Sequence, residues 1–409
     1  MTCQHLAAEV QIVKAMLATP LGMSLPQDRP QSQETISGSP TGAAAPLGIH
    51  AKLPTPPEGR SALQAAEKRL QRFYLQSAAR ELLPREKVAH CLRDIIPTAA
   101  TVDLYRNPEF AKVSFGGLVT CASVWACPVC SSKITERKRI DLAGGLRFWR
   151  DEAGGYLLLV TFTLRHHQGD NLKTVLDALL KAFENVHYGG WWKRFQAKHN
   201  IWGKVRALEV THGDKGWHPH IHCLYFIGSG NQPAVNAFEL ALKERWLNML
   251  KKQGRDASWE NGIDVRISDN DISAYVSKYG KEPDWKIEHE MTKSPSKVGK
   301  WHNKTAFQLL HEYNEGDVSA GRLFIQYAML FKGKSQLHWS KGLRSLLHLD
   351  KEKTDEELAK EREKGASLWA QLTREQWRVI VGNDARAELV KLGNAGDADA
   401  FWSFVNGLM

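Results

Sequence analysis

The chain has 409 residues and a formal net charge of +10. That length suits about two to three domains with ample core, and the charge leans toward a polyanionic partner. No apolar run is long enough to span a bilayer, and Met1-Thr2-Cys3-Gln4-His5 lacks the charged start and apolar stretch of a signal peptide. The expectation is a cytoplasmic protein with no membrane partner and reduced thiols, in which clustered cysteines point to metal rather than disulfides.

Residues 1–60 begin with an apolar-periodic piece, Leu6 to Leu17, and continue through a Pro-, Ser-, Gly-, Ala- and Thr-rich stretch. Such composition buries too little apolar surface to fold alone, so a flexible leader is expected. Residues 61–150 read as a helical and cysteine-rich DNA-binding region, opened by a charged helix from Ser61 to about Leu83. Cys91, Cys121, Cys127 and Cys130 follow, four of the six cysteines. Cys127-Pro128-Val129-Cys130 is a CxxC knuckle, a spacing that lets two thiolates reach one tetrahedral ion. The set reads as a structural Zn²⁺ site, with buried free thiols as the alternative; His90 is an alternative ligand to Cys91. Lys133, Arg137, Lys138 and Arg139 then form a basic helix start, a common arrangement for holding DNA.

Residues 151–282 change pattern. Tyr156 to Leu164 is a β-branched apolar run and predicts a buried strand. Leu172 to Val186 has helical periodicity, with Leu172, Val175, Leu176, Leu179, Leu180 and Phe183 on one side. Val205 to His212 and Trp217 to Phe226 predict two strands joined by the hairpin loop Gly213-Asp214-Lys215-Gly216. Alternate strand residues share a face, so folding about that loop opposes Glu209 to His220, Ala207 to His222 and Thr211 to His218. Glu209, His220 and His222 then form a divalent-metal site with open positions. His218, nearest the turn, is the weakest ligand candidate of the three histidines.

Phe238 to Leu250 predicts a second amphipathic helix, Gly262 to Ile267 a fourth strand, and Asp271 to Lys281 a third helix. The order strand, helix, strand, strand, helix, strand matches a split βαβ arrangement: an α+β fold, ferredoxin-like, whose antiparallel sheet has helices on one face and the histidine strand in its interior. The last helix carries Tyr275-Val276-Ser277-Lys278-Tyr279, with both tyrosines on one helix face. A phenol ionises near 10 and is a poor nucleophile at neutral pH; a divalent ion and Lys278 nearby would favour the phenolate. Aromatic packing is the alternative role for such a pair.

These segments, in this order, resemble the HUH endonucleases, and most closely the rolling-circle replication initiator (Rep) proteins of small bacterial plasmids. Thr161-Phe162-Thr163-Leu164 is similar to the family's first motif, His218-Pro219-His220-Ile221-His222 to the metal motif, and Tyr275 to Tyr279 to the nucleophile helix. Cys121 to Cys130 with Trp125 resembles the cysteine segment of many plasmid initiators. The segments Thr305 to Leu310 and Leu337 to Arg344 extend the likeness, which covers roughly residues 85–350. The resemblance implies an HUH core and a metal-dependent single-strand endonuclease and ligase. Tyr279 would attack one phosphodiester of origin DNA, become linked to the 5′-phosphate, and leave a 3′-OH for a host polymerase working with a helicase. It also implies Mg²⁺ or Mn²⁺ at His220, His222 and Glu209. One-tyrosine members carry a glutamate where Tyr275 stands here, so the arrangement is closer to the two-tyrosine initiators.

Residues 283–348 read as a DNA-proximal extension of that core, and residues 349–409 as a helical tail. A conjugative relaxase or single-strand transposase uses the same parts, although relaxases usually place the tyrosine before the histidines. A non-enzymatic, zinc-containing copy-control protein would account for the charge and the cysteines but not for the histidine strand and tyrosine helix.

Overall fold

The computed structural model describes residues 60–229, 234–267, 303–362 and 364–409. Tyr275, Lys278 and Tyr279 lie outside the described residues, as does the expected leader. The fold is α+β with antiparallel sheets, as the element order implied.

The larger sheet is built from β3 (Tyr156–Phe162), β4 (Ile201–Gly213), β5 (Gly216–Ile227) and β6 (Ile263–Ile267), with a short β7 (Leu337–Trp339). Two strands precede it, β1 (Val102–Asn107) and β2 (Lys112–Gly116). The strand order is β6-β3-β5-β4-β7. The histidine strand β5 is interior, as anticipated. Asp214 and Lys215 turn the β4–β5 hairpin, and Gly216 takes φ +80°. Short hairpin loops place that left-handed conformation on glycine because it lacks a Cβ. The register is the one the alternation predicts, with Glu209 opposite His220, Ala207 opposite His222 and Thr211 opposite His218.

Period-2 alternation sends the strands' apolar residues to two different cores. On one face, Val160, Phe162, Leu208, Val210, Ile221, Cys223 and Tyr225 meet helix α3 (Leu172–Val186) and helix α5 (Val235–Lys251). Before α3 come α1 (Arg60–Leu82) and α2 (Pro128–Arg147); between β3 and β5 there is also a short α4 (Gly189–Lys198), absent from the sequence expectation. On the other face, Leu157, Leu159, Val205, Ala207, Leu224 and Phe226 pack under Leu142 and Leu146 of α2, with Trp149, Leu343 and Leu347 beside them. By the same alternation Thr161, Glu209, His220 and His222 belong to this second face.

After β6, the described chain resumes with α6 (Ala306–Asn314) and α7 (Val318–Phe331), then β7, α8 (Leu343–Leu346) and α9 (Asp355–Lys360). Two segments differ from expectation. The stretch before α2 carries the β1–β2 hairpin. The C-terminal segment, read from sequence as helical, opens with strand β8 (Ser367–Leu372), which pairs antiparallel with β1 from Val102–Leu372 to Arg106–Ser367. The resulting sheet β2-β1-β8 is covered by α10 (Arg374–Gly382), α11 (Arg386–Ala395) and α12 (Ala398–Leu408), through Trp377, Ile380, Leu389, Phe401 and Val405. Strand β8 is short and its partner lies far upstream, so no local periodicity announced it. Its end is sharp, because Thr373 and Gln376 form a capping box that starts α10 at once.

Candidate metal centres

Glu209 from β4 and His220 and His222 from β5 converge across one hairpin. Glu209 Oε2 lies 3.0 Å from His220 Nε2 and 3.0 Å from His222 Nε2. Adjacent ligands of an octahedral ion with bonds of about 2.1 Å stand about 3 Å apart, so these spacings fit a hard divalent ion with further positions open. His222 is oriented from behind: its Nδ1 is 3.1 Å from Thr161 Oγ1 on β3. A second partner of that kind fixes which imidazole nitrogen faces the ion. Burial pushes the Glu209 carboxyl up, but His220 and His222 outweigh this and hold it well below the usual carboxylate range. It is therefore anionic at neutral pH, as a donor to a divalent ion would be.

His218 belongs to the same strand face but not to the triad. Its ring stacks on His166 at 4.6 Å and 12°. Burial, then His220 and His166, push it down to about 3, so it is neutral. Thr161 and His166 are the site neighbours that ligand-motif reasoning overlooked. Thr161 stood in a segment singled out for other reasons, and His166 lies just beyond the end of β3.

The second centre is made of sulfur. Cys91 follows a 3₁₀ turn over Lys87–His90, Cys127 is the N-cap of α2, and Cys130 lies in its first turn, with Pro128 at the position where a missing N–H costs nothing. The Sγ–Sγ separations are 3.5 Å for Cys91–Cys130, 3.7 Å for Cys121–Cys130 and 3.8 Å for Cys91–Cys127. A tetrahedron with Zn–S bonds of about 2.3 Å has edges of about 3.8 Å. All four sulfurs are buried and lie within 4.8 Å of one another. Backbone N–H groups of Cys121, Ser123 and Cys130 donate to the sulfurs of Cys91, Cys121 and Cys127, and Gln76 Nε2 donates to Cys127 Sγ at 3.2 Å. Burial raises Cys127, yet the donors from Cys121, Cys130 and Cys91 outweigh it and leave this sulfur well below the ordinary thiol range. Contact with Cys127, then Cys130 and Cys91, pushes Cys121 up. Four such sulfurs share protons unless a cation replaces them. The residues fit a closed, four-thiolate ion. His90 does not compete for it: its Nδ1 is 2.6 Å from Asp94 Oδ2, on the exposed side of the turn.

Three basic residues of α2 are engaged by carboxylates, and Lys133 donates to the Ala359 carbonyl. Lys138 pairs with Asp355 at 2.6 Å, Arg137 with Glu361 at 3.3 Å, and Arg139 with Glu136 at 2.7 Å. No helix among the described residues is long and apolar enough to cross a membrane.

Fold and sites together define an α+β protein with an open two-histidine, one-carboxylate site on an antiparallel sheet and a separate closed thiol centre. The chain belongs to the replication protein family: the family described as "Replication protein" (Rep_1) matches residues 118–378. It is 26% identical over 302 residues to "Protein rep" of Streptomyces lividans, covering 57% of this chain and 65% of that one. It is 32% identical over 149 residues to "Neomycin resistance protein" of Streptomyces cyanogenus, covering 29% and 34%. To "Protein rep" of Streptococcus pneumoniae serotype 2 it is 30% identical over 90 residues, covering 20% and 27%. The chain thus spans less than two thirds of the length of each of these relatives. No solved structure matches.

Proposed function

We propose that this chain is a replication initiator that nicks one strand of a plasmid or phage-like origin, primes rolling-circle replication and rejoins the DNA at termination. The observation that carries this reading is the convergence of Glu209, His220 and His222 on one sheet face at 3.0 Å spacings. Membership of the replication protein family supports it. So does the strand order β6-β3-β5-β4, which is compatible with a split βαβ arrangement.

The Tyr279 oxygen attacks the scissile phosphorus. The bond from phosphorus to the 3′-oxygen breaks, the tyrosine is left esterified to the 5′-phosphate, and the 3′-oxygen takes a proton to become the 3′-OH. Tyr275 serves as the second phenol for rejoining, and Lys278 favours the phenolate. A Mg²⁺ or Mn²⁺ ion at the triad supplies charge stabilisation at the phosphate.

The cysteine set serves as a structural Zn²⁺ site. Arg137, Lys138 and Arg139 reach origin DNA, single- or double-stranded, by exchanging their carboxylate partners for phosphates. Host helicase and polymerase are the expected partners after nicking, in the cytoplasm. The test mixes the protein with Mg²⁺ or Mn²⁺ and supercoiled origin DNA and maps any covalent adduct. Open circles with a tyrosine-linked 5′ end are expected; DNA that stays supercoiled with protein bound identifies a binding protein instead.

A further inference from the structure

We infer that Arg386 supplies the counter-charge of the thiolate metal centre through Gln76, so that the ion held by the four cysteines also fastens the C-terminal unit to the body of the protein. This rests on the zinc reading of Cys91, Cys121, Cys127 and Cys130. Arg386 lies beyond the family match, which ends at residue 378.

Arg386 opens helix α11 and is 2% exposed. A buried guanidinium is costly unless its charge is met. The nearest carboxylate in an ion pair with it is Asp384, at 3.5 Å and 44% exposed, and that group also accepts a hydrogen bond from Ser77 Oγ. The other partners are neutral. Arg386 Nη1 donates to Gln76 Oε1 at 2.9 Å, to the Leu92 carbonyl at 3.1 Å and to the Cys91 carbonyl at 3.5 Å; Nη2 donates to Ser77 Oγ at 3.0 Å. Two more guanidinium groups crowd the position. Burial lowers Arg386, and Arg80 and Arg93 lower it further against Asp384 and Cys91. Arg386 Nε, Arg80 Nε and Arg93 Nη1 are each buried without a hydrogen-bond partner. Against these three guanidinium groups stand two carboxylates, Asp384 and, acting on Arg93, Asp94, so positive charge is in local excess.

The sulfur side has the complementary shortfall. Four thiolates around a divalent ion leave a doubly negative centre inside the protein. Gln76, itself 1% exposed, joins the two. Its carbonyl faces the guanidinium and its amide donates to Cys127 Sγ. The reverse amide orientation would put N–H against N–H, so the charge on each side selects the same rotamer. The chain Arg386–Gln76–Cys127 spans α11, α1 and the start of α2. Without the ion, the sulfurs share protons among themselves, the centre holds less negative charge, and the guanidinium cluster loses part of its counter-charge.

The experiment uses the full chain loaded with Zn²⁺ or Co²⁺. Wild type should show thiolate-to-Co²⁺ charge transfer from an ion at the cysteine centre, whatever the Glu209, His220 and His222 site also binds. If no thiolate charge transfer appears, the zinc reading fails and this inference falls with it. Arg386→Gln should lose Zn²⁺ to a chelator on the order of tenfold faster or more and shift the Co²⁺ spectrum, the size typical of outer partners of metal ligands. Arg386→Lys should restore most of both. Wild-type retention and spectrum in Arg386→Gln overturn the inference alone. A second measurement needs no variant: stripping metal from wild type under reducing conditions should raise amide exchange in residues 367–408 before residues 156–227. Unchanged protection of 367–408 in the stripped protein overturns it equally.

Discussion

His222 Nε2 stands 3.0 Å from Glu209 Oε2 across the β4–β5 hairpin, and both face the same side of the sheet. That relationship places the carboxylate where it can share an ion with the two imidazoles. Replacing Glu209 by Gln keeps the shape and removes the anion, and replacing His222 by Ala removes a donor. Each should weaken Mn²⁺ binding by at least about tenfold and cut origin nicking by about a hundredfold or more. Titration calorimetry with Mn²⁺ and a supercoil-relaxation assay check the two effects. Wild-type nicking by Glu209→Gln would remove the carboxylate from the site.

Thr161 reaches the site through His222 Nδ1. Thr161→Val preserves the shape of the strand and deletes the hydrogen bond. Mn²⁺ affinity should fall about tenfold, with the fold and the melting temperature little changed. An unaltered affinity would make the contact incidental to the metal.

The nucleophile assignment separates two tyrosines. Tyr279→Phe should abolish the covalent adduct on a nicked-origin oligonucleotide, while Tyr275→Phe should still form the first adduct and fail at rejoining. Gel mobility of the adduct before and after phenol extraction reads both. A full adduct from Tyr279→Phe, with none from Tyr275→Phe, reverses the roles.

His187 bears on stability rather than chemistry. Its Nδ1 is 2.7 Å from the Phe183 carbonyl and its Nε2 2.7 Å from the Tyr225 hydroxyl, which makes the neutral ring, donating at Nδ1 and accepting at Nε2, the natural fit. Burial, with help from Lys204 and against the Phe183 carbonyl, holds it well below its ordinary value of 6.5. The unfolded chain takes up this proton as pH falls below 6.5 and the folded protein does not. Its stabilising contribution is complete above that pH and is lost as pH falls toward the folded value, at a slope of at most about 1.4 kcal/mol per pH unit. Urea unfolding at pH 7.5 and 5.5 should show the loss, and His187→Gln should flatten it. An equally steep dependence in the variant assigns the slope to other groups.

Much of the candidate site is legible in the amino-acid order because it depends on local rules. Strand alternation and the two-residue turn Asp214-Lys215, followed by Gly216, determine that Glu209 opposes His220. The Cys127-to-Cys130 spacing at a helix start determines that two thiols share one point, and the apolar stripe from Leu172 to Phe183 gives α3 its bounds. What tertiary structure alone decided lies at long sequence separation. Strand β8 carries too short a pattern to declare itself and becomes a strand by pairing with β1. The pairing of Lys138 with Asp355 and of Arg137 with Glu361 could not be read from the basic stretch alone. Gln76 and Arg386 carry no motif; their place beside Cys127 follows from packing α11 on α1. Periodicity tells which face of an element is apolar, but not which distant surface covers it. That choice is made by complementary shape and charge, after the entropy of closing a long loop has been met.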